Sequence, residues 1–204
     1  YQDFKNKISS EKLTLAILEG SKRLIGFTLH SGSVYKKLNF DVAVISSIEI
    51  SSIALEPVHS ISDLVDGTYY NDRENKILYV HSSNPNASFI VLTNKYFFSN
   101  KGLSLPHDLD SGFEVYFEPM IKGSSAFGLE LDIVNEATSA IEGSGTLSLH
   151  NDSDFWLRNY DKIFFENQIC SIYSYNSELE VTEAKLLFNG YIESKSYSST
   201  EIKF

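Results

Sequence analysis

Residues 143–156 of the chain read GSGTLSLHNDSDFW, and residues 185–193 read KLLFNGYIE. In the first stretch Leu147 and Leu149 alternate with residues that carry hydroxyl groups. This alternation has the period of a β-strand with one buried face and one polar face. We therefore predict a strand at 146–149 whose leucines lie in a hydrophobic core.

Small and polar residues flank this predicted strand on both sides. Gly143 and Gly145 release the backbone from steric restriction where the strand begins. Residues 151–154 are expected to form a polar turn, because Asn, Asp and Ser side chains bond readily to their own backbone. A short helical turn is expected at 155–160, capped by an aspartate and anchored by Trp156.

The second stretch predicts a strand of a later hairpin, in which Phe188 and Gly190 are the residues of interest. Neither stretch carries a catalytic pattern, so the residues selected from them are structural. They are Gly143, Gly145, Leu147, Leu149, Trp156, Phe188 and Gly190.

The rest of the chain has the same β character, with period-2 patterning, many aromatic and β-branched residues and no long helical periodicity. A hairpin turn is predicted at 19–21, where Gly20 would supply a positive φ. A second hairpin is predicted at 68–80, and one short helical turn at 61–65. The predicted fold class is mainly β, with antiparallel β-sandwich or β-barrel modules and one or two short helices.

Prolines and glycines cluster between residues 106 and 123 and indicate a domain boundary there. The division gives an N-terminal β domain at 1–112 and a second β domain at 113–204. The chain opens at Tyr1 instead of methionine, and its last predicted strand stops at the chain end. We therefore expect it to be part of a longer polypeptide.

Composition argues against several classes of function. The chain carries 27 acidic and 17 basic side chains, so specific binding to nucleic acid through phosphate neutralisation is not expected. The apolar runs are far shorter than a membrane span, so no membrane-spanning segment is predicted. Cys170, the single cysteine, lies in an alternating apolar run and is expected to be a small core residue.

No group of residues predicts a catalytic, cofactor or metal site. His107, Asp108 and Asp110 have side chains that suit a divalent ion. Pro106 and Gly112 flank them, however, and favour a turn. The histidines are scattered without ligand spacing. We therefore expect a protein that is not an enzyme and has no cofactor.

The aromatic residues of the second hairpin leave two interpretations open. Tyr69, Tyr70 and Tyr79 could stack on sugar rings, since a tyrosine has an apolar face and a polar rim. Alternatively, they could fill a β core and coat a subunit interface, where tyrosine is enriched. We favour core and interface.

A set of short segments runs along the chain from about residue 12 to residue 204. They read YYND (69–72), LYV (78–80), YFF (96–98), LPHDL (105–109), GSGTLSLHND (143–152), YD (160–161), FENQ (165–168) and LFNGYI (187–192). Together they resemble a group of tail proteins from long-tailed bacteriophages, which lie at the distal end of the tail around the baseplate and hub. The turn at 152–155 departs from this pattern, which more often has Asp-Gly there.

The resemblance implies a structural subunit of the virion that forms rings through β-barrel or β-sandwich contacts, with 113–204 as a hub- or tail-tube-like barrel. The implied partners are other tail and baseplate proteins and further copies of the chain, which makes a homo-oligomer the expected state. Two alternatives stay open. One is a carbohydrate-binding β-sandwich module for a host-surface glycan, and the other is a hydrolase with carboxylates among Asp108, Asp110 and Glu118.

Overall fold

The computed structural model describes residues 12–42, 44–82, 90–106, 114–123, 125–131, 141–151, 156, 162–176 and 184–204. These residues are mainly β-strand, and the predicted class of antiparallel β-sandwich or β-barrel modules is confirmed. One turn of 3₁₀ helix, Ile61–Asp63, lies where a short helical turn was expected. The helical turn expected at 155–160 lies outside the described residues except for Trp156.

The strands are numbered in chain order. Those before residue 100 are β1 (Lys12–Leu24), β2 (Thr28–Ser31), β3 (Val34–Lys37), β4 (Ile45–Ile50), β5 (Ile53–Ala54), β6 (Glu56–Pro57), β7 (Thr68–Asp72), β8 (Ile77–His81) and β9 (Ile90–Ser99). Those after it are β10 (Leu103–Pro106), β11 (Glu114–Pro119), β12 (Ala126–Leu131), β13 (Ile141–Thr146), β14 (Ser148–His150), β15 (Ile169–Asn176), β16 (Lys185–Tyr191), β17 (Ser196–Tyr197) and β18 (Glu201–Lys203).

The chain forms two compact units, each built from separate stretches of sequence. Unit 1 comprises Tyr1–Leu18, Phe97–Ser153 and Ile169–Phe204, and unit 2 comprises Glu19–Tyr96 and Asp154–Gln168. The predicted division between 112 and 113 cuts the chain only once, and it falls within 107–113, outside the described residues.

Unit 2 contains a five-stranded sheet in the order β2-β3-β8-β7-β6, and β4 pairs with β5 and with β9. Strands β7 and β8 form the predicted second hairpin, with Thr68 opposite His81 and Asp72 opposite Ile77. Alternate residues of these strands point inward and meet in one hydrophobic core. Its buried members are Leu24, Phe40, Ile48, Ile50, Leu55, Tyr69, Leu78, Val80, Ile90 and Leu92.

Gly20 of unit 2 lies inside β1, so the predicted hairpin turn at 19–21 is wrong. A Cβ atom at this position would lie 2.7 Å from Ile163 Cγ2, 2.8 Å from Tyr96 Cε2 and 2.9 Å from Phe165 Cε1. Glycine is needed here because three large side chains pack against the backbone. A positive φ, which is the usual reason for a glycine in a turn, is not involved.

Unit 1 contains β10, β11, β15 and β16 together with the Lys12–Leu18 part of β1 and the Phe97–Ser99 part of β9. These strands follow the order β10-β11-β9-β1-β15-β16, which we call the main sheet. Strand β15 pairs antiparallel with β1 on one side and with β16 on the other. The same unit holds the three-stranded sheet β14-β18-β17 and the hairpin β12-β13. Strands β10 and β16 therefore lie at the two ends of the main sheet.

Candidate functional site

Strand β16 is an edge strand, and among the described residues it pairs with β15 alone. Three of its exposed side chains are nevertheless apolar: Leu186, Leu187 and Tyr191 are 51%, 42% and 70% exposed. Beside it on β15, Ile169 is 40% exposed. We call these four residues the β16 surface. Exposed apolar side chains grouped at a sheet edge are typical of a site that contacts another molecule.

The register with β15 determines which side chains of β16 point into unit 1. Phe188 lies opposite Ile172, and Gly190 lies opposite Cys170. Both β15 residues are buried. The Phe188 ring folds over Gly190, where a Cβ atom would lie 2.7 Å from Phe188 Cζ. This face of β16 is therefore packed by the chain itself.

The opposite face of β16 points away from this packing. Asn189 lies opposite Ser171, whose hydroxyl lies 2.8 Å from Asn189 Oδ1 and donates to it. Tyr191 lies opposite Ile169, so the two exposed apolar side chains are direct cross-strand neighbours. The register shifts near Leu187, where β16 carries one extra residue. Such a bulge bends the strand and redirects its side chains.

A cleft of about 400 Å³ opens in unit 1 beside β16. Its walls combine apolar and aromatic groups with hydroxyl, carboxylate and ammonium groups. The volume lies at the small end of the range for ligand pockets. The lining residues are Gly145, Thr146, Leu147, Cys170, Phe188, Tyr191, Ile192, Glu193, Ser194, Ser196, Lys203 and Phe204.

The charged groups near this cleft are tied to one another. Glu201 accepts hydrogen bonds from Lys203 Nζ at 2.7 Å and from Lys122 Nζ at 3.2 Å. These bonds, that of Lys203 first, lower the pKa of the Glu201 carboxyl below its usual value. A carboxylate held in its charged form between two lysines is suited to joining β18 to the 120–122 segment, and it is a poor general acid.

The Cys170 thiol forms part of the cleft wall and is buried, as the sequence predicts. Burial raises the pKa of this thiol to about 12. The thiolate is the nucleophilic form, and it is scarcely populated near neutral pH at such a pKa. Cys170 therefore acts as a small apolar residue.

The structure brings most of the sequence-selected residues to this part of unit 1. Gly145, Leu147 and Phe188 line the cleft, and Gly190 pairs with a residue of its wall. Gly143 and Gly145 lie within β13, opposite Leu129 and Phe127, although they were expected where a strand begins. Trp156 belongs to unit 2, where it is fully buried with its ring 5.8 Å from that of Phe165.

Leu147 and Leu149 are both buried, as their alternation predicts. Ser148 between them is also buried, although a polar, exposed face was expected there. Strand β14 has paired segments along both edges, because Leu149 pairs with Ile202 of β18 and forms a bridge with Ile121. The backbone of Ser148 is also held by Ser125, whose hydroxyl accepts from Ser148 N–H at 3.0 Å.

The aromatic hairpin of unit 2 presents little surface for stacking on a sugar. Tyr69 and Tyr79 are buried. The ring of Tyr79 stacks on Tyr70 at 6.2 Å and contacts His30 edge-on at 5.3 Å. These side chains belong to the core and its margin, which confirms the core part of the interpretation favoured from the sequence.

Within the part of the chain that the structure describes, no group of three His, Cys, Asp or Glu residues is arranged to hold a metal ion. His107, Asp108 and Asp110 lie outside the described residues. Glu118, the third carboxylate considered for hydrolysis, lies exposed on β11.

Sequence reasoning missed the exposed side of β16. The segment KLLFNGY was interpreted as a hairpin strand, and its Phe188 and Gly190 were selected because they resemble a known pattern. The available signal was the run of three apolar residues at 186–188. Such a run cannot place all its side chains on one face of a strand.

Comparisons with protein-family models, curated proteins and solved structures give no match for this chain. Among its described residues, no helix is long and apolar enough to cross a membrane.

Proposed function

We propose that this protein is a non-enzymatic structural subunit of a bacteriophage tail tip, in the baseplate or hub region, and that it assembles through contacts between β modules. One observation supports this proposal more than any other: the β16 surface exposes Ile169, Leu186, Leu187 and Tyr191 together at a sheet edge. We propose a phage tail as the assembly because of the sequence segments that resemble distal tail proteins.

Exposure of this surface has a cost in free energy. Full burial of a large apolar side chain contributes about 1.5–3 kcal/mol, and these four side chains, which are 40–70% exposed, forgo part of that contribution. A grouping of four at an open edge also invites unwanted pairing with other chains. A subunit that is covered by its neighbours in an assembly avoids both costs, and we place its partners among other tail and baseplate proteins and further copies of the chain.

The test is the oligomeric state of the purified chain, measured by light scattering over a range of concentrations and imaged by negative stain. We expect closed rings or small symmetric oligomers, and we expect the Leu187→Ser/Tyr191→Ser double variant to lose them. Ile25→Ser is the matched control, because Ile25 is 69% exposed and belongs to unit 2, whereas β16 belongs to unit 1. A strict monomer that also fails to bind isolated tail tips would overturn the proposal.

A carbohydrate-binding function is the second candidate, and the cleft is the observation that favours it. Tyr191 borders the cleft together with Glu193, Ser194 and Ser196, which gives an aromatic face beside polar groups. Sugars are recognised by such combinations. Binding of the chain to defined oligosaccharides on a glycan array would support this function, and an array without signal would remove it.

A further inference from the structure

We propose that β16 pairs with β16 of a second copy of this chain, antiparallel and about a two-fold axis beside Asn189. The inference rests on the proposed function, because it takes the β16 surface to be an assembly surface. It goes further by naming what covers that surface and in which register.

The two ends of the main sheet differ in how readily they accept another strand. Strand β10 has only four residues and ends in Pro106, which has no N–H to donate. A short edge strand with a proline resists the addition of another strand. Strand β16 has seven residues without proline, and its outer edge is unpaired among the described residues. The open end of the sheet is therefore β16.

The exposed apolar side chains of β16 complement one another when the strand pairs with itself. In antiparallel self-pairing centred on Asn189, Leu187 of one copy lies opposite Tyr191 of the other, and symmetry repeats this pair. Ile169 lies beside Tyr191 on β15. Each end of the junction thus gains a cluster of one leucine, one tyrosine and one isoleucine, all exposed in the single chain. Cross-strand aromatic and aliphatic pairs of this kind stabilise sheets.

Residues of opposite charge flank the apolar part of β16. Lys185 and Glu193 are exposed and stand four residues to either side of Asn189. Both residues lie just outside the regularly paired segment, so the same register leaves the lysine of one copy near the glutamate of the other, once at each end. The chain has a formal net charge of −10, so two copies repel each other at long range. Local pairs of opposite charge oppose this repulsion and favour one register over its neighbours.

The bulge at Leu187 sets the extent of the pairing. Regular pairing is confined to about 187–191, because a bulge interrupts the ladder. Five residues on each side bury much less than the roughly 1,000 Å² expected of a stable interface. We therefore expect weak association, which a covalent trap detects more directly than a mass measurement.

Disulfide trapping tests the register. In Asn189→Cys the two new thiols face each other across the axis, with Cβ atoms about 4.5–5.5 Å apart, close to the span of a disulfide. In Leu187→Cys the equivalent atoms stand about 13 Å apart, four residues along the strand, and cannot be joined. The unsubstituted chain is the background control, since its Cys170 is buried.

Under mild oxidation we expect a covalent dimer from Asn189→Cys, none from Leu187→Cys alone, and a mixed dimer when Leu187→Cys is combined with Tyr191→Cys. Self-linking of Leu187→Cys would overturn the register. Oligomers of the unsubstituted chain together with no trapping of Asn189→Cys would overturn self-pairing, because another partner or surface would then account for assembly. That result would leave the proposed function unchanged. A chain that is monomeric and does not bind tail tips would contradict the proposed function.

A charge exchange tests separately whether Lys185 of one copy lies near Glu193 of the other. At low salt, Lys185→Glu should weaken dimerisation about 2- to 10-fold, the range expected of two exposed ion pairs. The double variant Lys185→Glu/Glu193→Lys should restore it, since the pairs are reversed and retained. A double variant that dimerises no better than the single one would contradict the placement of these two residues near each other.

Discussion

Strands β9 and β16 are both rich in apolar residues, yet the fold treats them differently. Most large apolar side chains of β9 are buried, since β9 has neighbours on both sides in the sheets it joins. In β16 most residues are exposed, because β15 is its only strand neighbour among the described residues. The apolar content of β9 is thus explained within one chain, whereas we propose that a second molecule covers the apolar side chains of β16.

The largest expected effect on the free energy of unfolding comes from replacing leucine by alanine at a buried site of unit 1, and an exposed site of the same unit provides the comparison. Leu149 is fully buried on β14, and Leu186 is half exposed on β16. Leu149→Ala should lower the free energy of unfolding by about 2–5 kcal/mol through lost burial and a residual cavity. Leu186→Ala should change it by less than about 0.5 kcal/mol. Urea unfolding at low protein concentration measures both values.

Equal losses in the two variants would break the comparison. If Leu186→Ala destabilised the dilute chain as much as Leu149→Ala, β16 would be covered within a single chain. A parent-like Leu149→Ala would mean that Leu149 is not a core residue.

A smaller effect on stability is expected at Gly20, where three side chains of unit 2 pack closely against the backbone. In Gly20→Ala the new methyl group meets Ile163, Tyr96 and Phe165 at less than 3.0 Å. Overpacking of this kind costs typically about 1–3 kcal/mol. Gly123→Ala is the control, since a Cβ there meets nothing within 4 Å. Thermal unfolding that ranks Gly123→Ala as the more damaging change would contradict the packing described for β1.

The smallest effect concerns the ion pairs at β18. The pKa of Glu201 is lowered by its lysine neighbours, Lys203 first. A carboxyl with a lowered folded-state pKa contributes stability above its unfolded value of about 4.3, and this contribution is lost as the pH falls through the folded value. The parent should therefore be more stable than Glu201→Gln at pH 7, and the gap should close in acid. Parallel unfolding curves of the two proteins from pH 7 to pH 3 would refute this.

Part of the fold could be predicted because its signals are local. The alternation of Leu147 and Leu149 and the polar turn between β7 and β8 indicate strands without reference to the rest of the chain. Gly20 was misinterpreted because a glycine between two apolar runs suits a turn and a tight packing site equally. Only the positions of Tyr96, Ile163 and Phe165, distant in sequence, distinguish the two.

The candidate site was predictable only in part for a similar reason. Leu147 and Phe188 were selected as structural residues, and both line the cleft. The exposed side of β16 was missed because exposure depends on where the sheet ends. The sequence of a strand does not specify whether a neighbour will lie beyond it, and Leu187 and Tyr191 would suit an interior strand equally well.

Hydrogen–deuterium exchange of the β16 backbone amides as a function of protein concentration tests most directly whether another molecule covers this strand. We predict that amides at 187–191 become more protected as concentration rises, while those of the opposite edge strand β10 do not change. Exchange at 187–191 that is equally slow at every concentration would contradict the account, because the edge would then be covered within one chain. Exchange that stays fast at every concentration, including with isolated tail tips added, would contradict it as well.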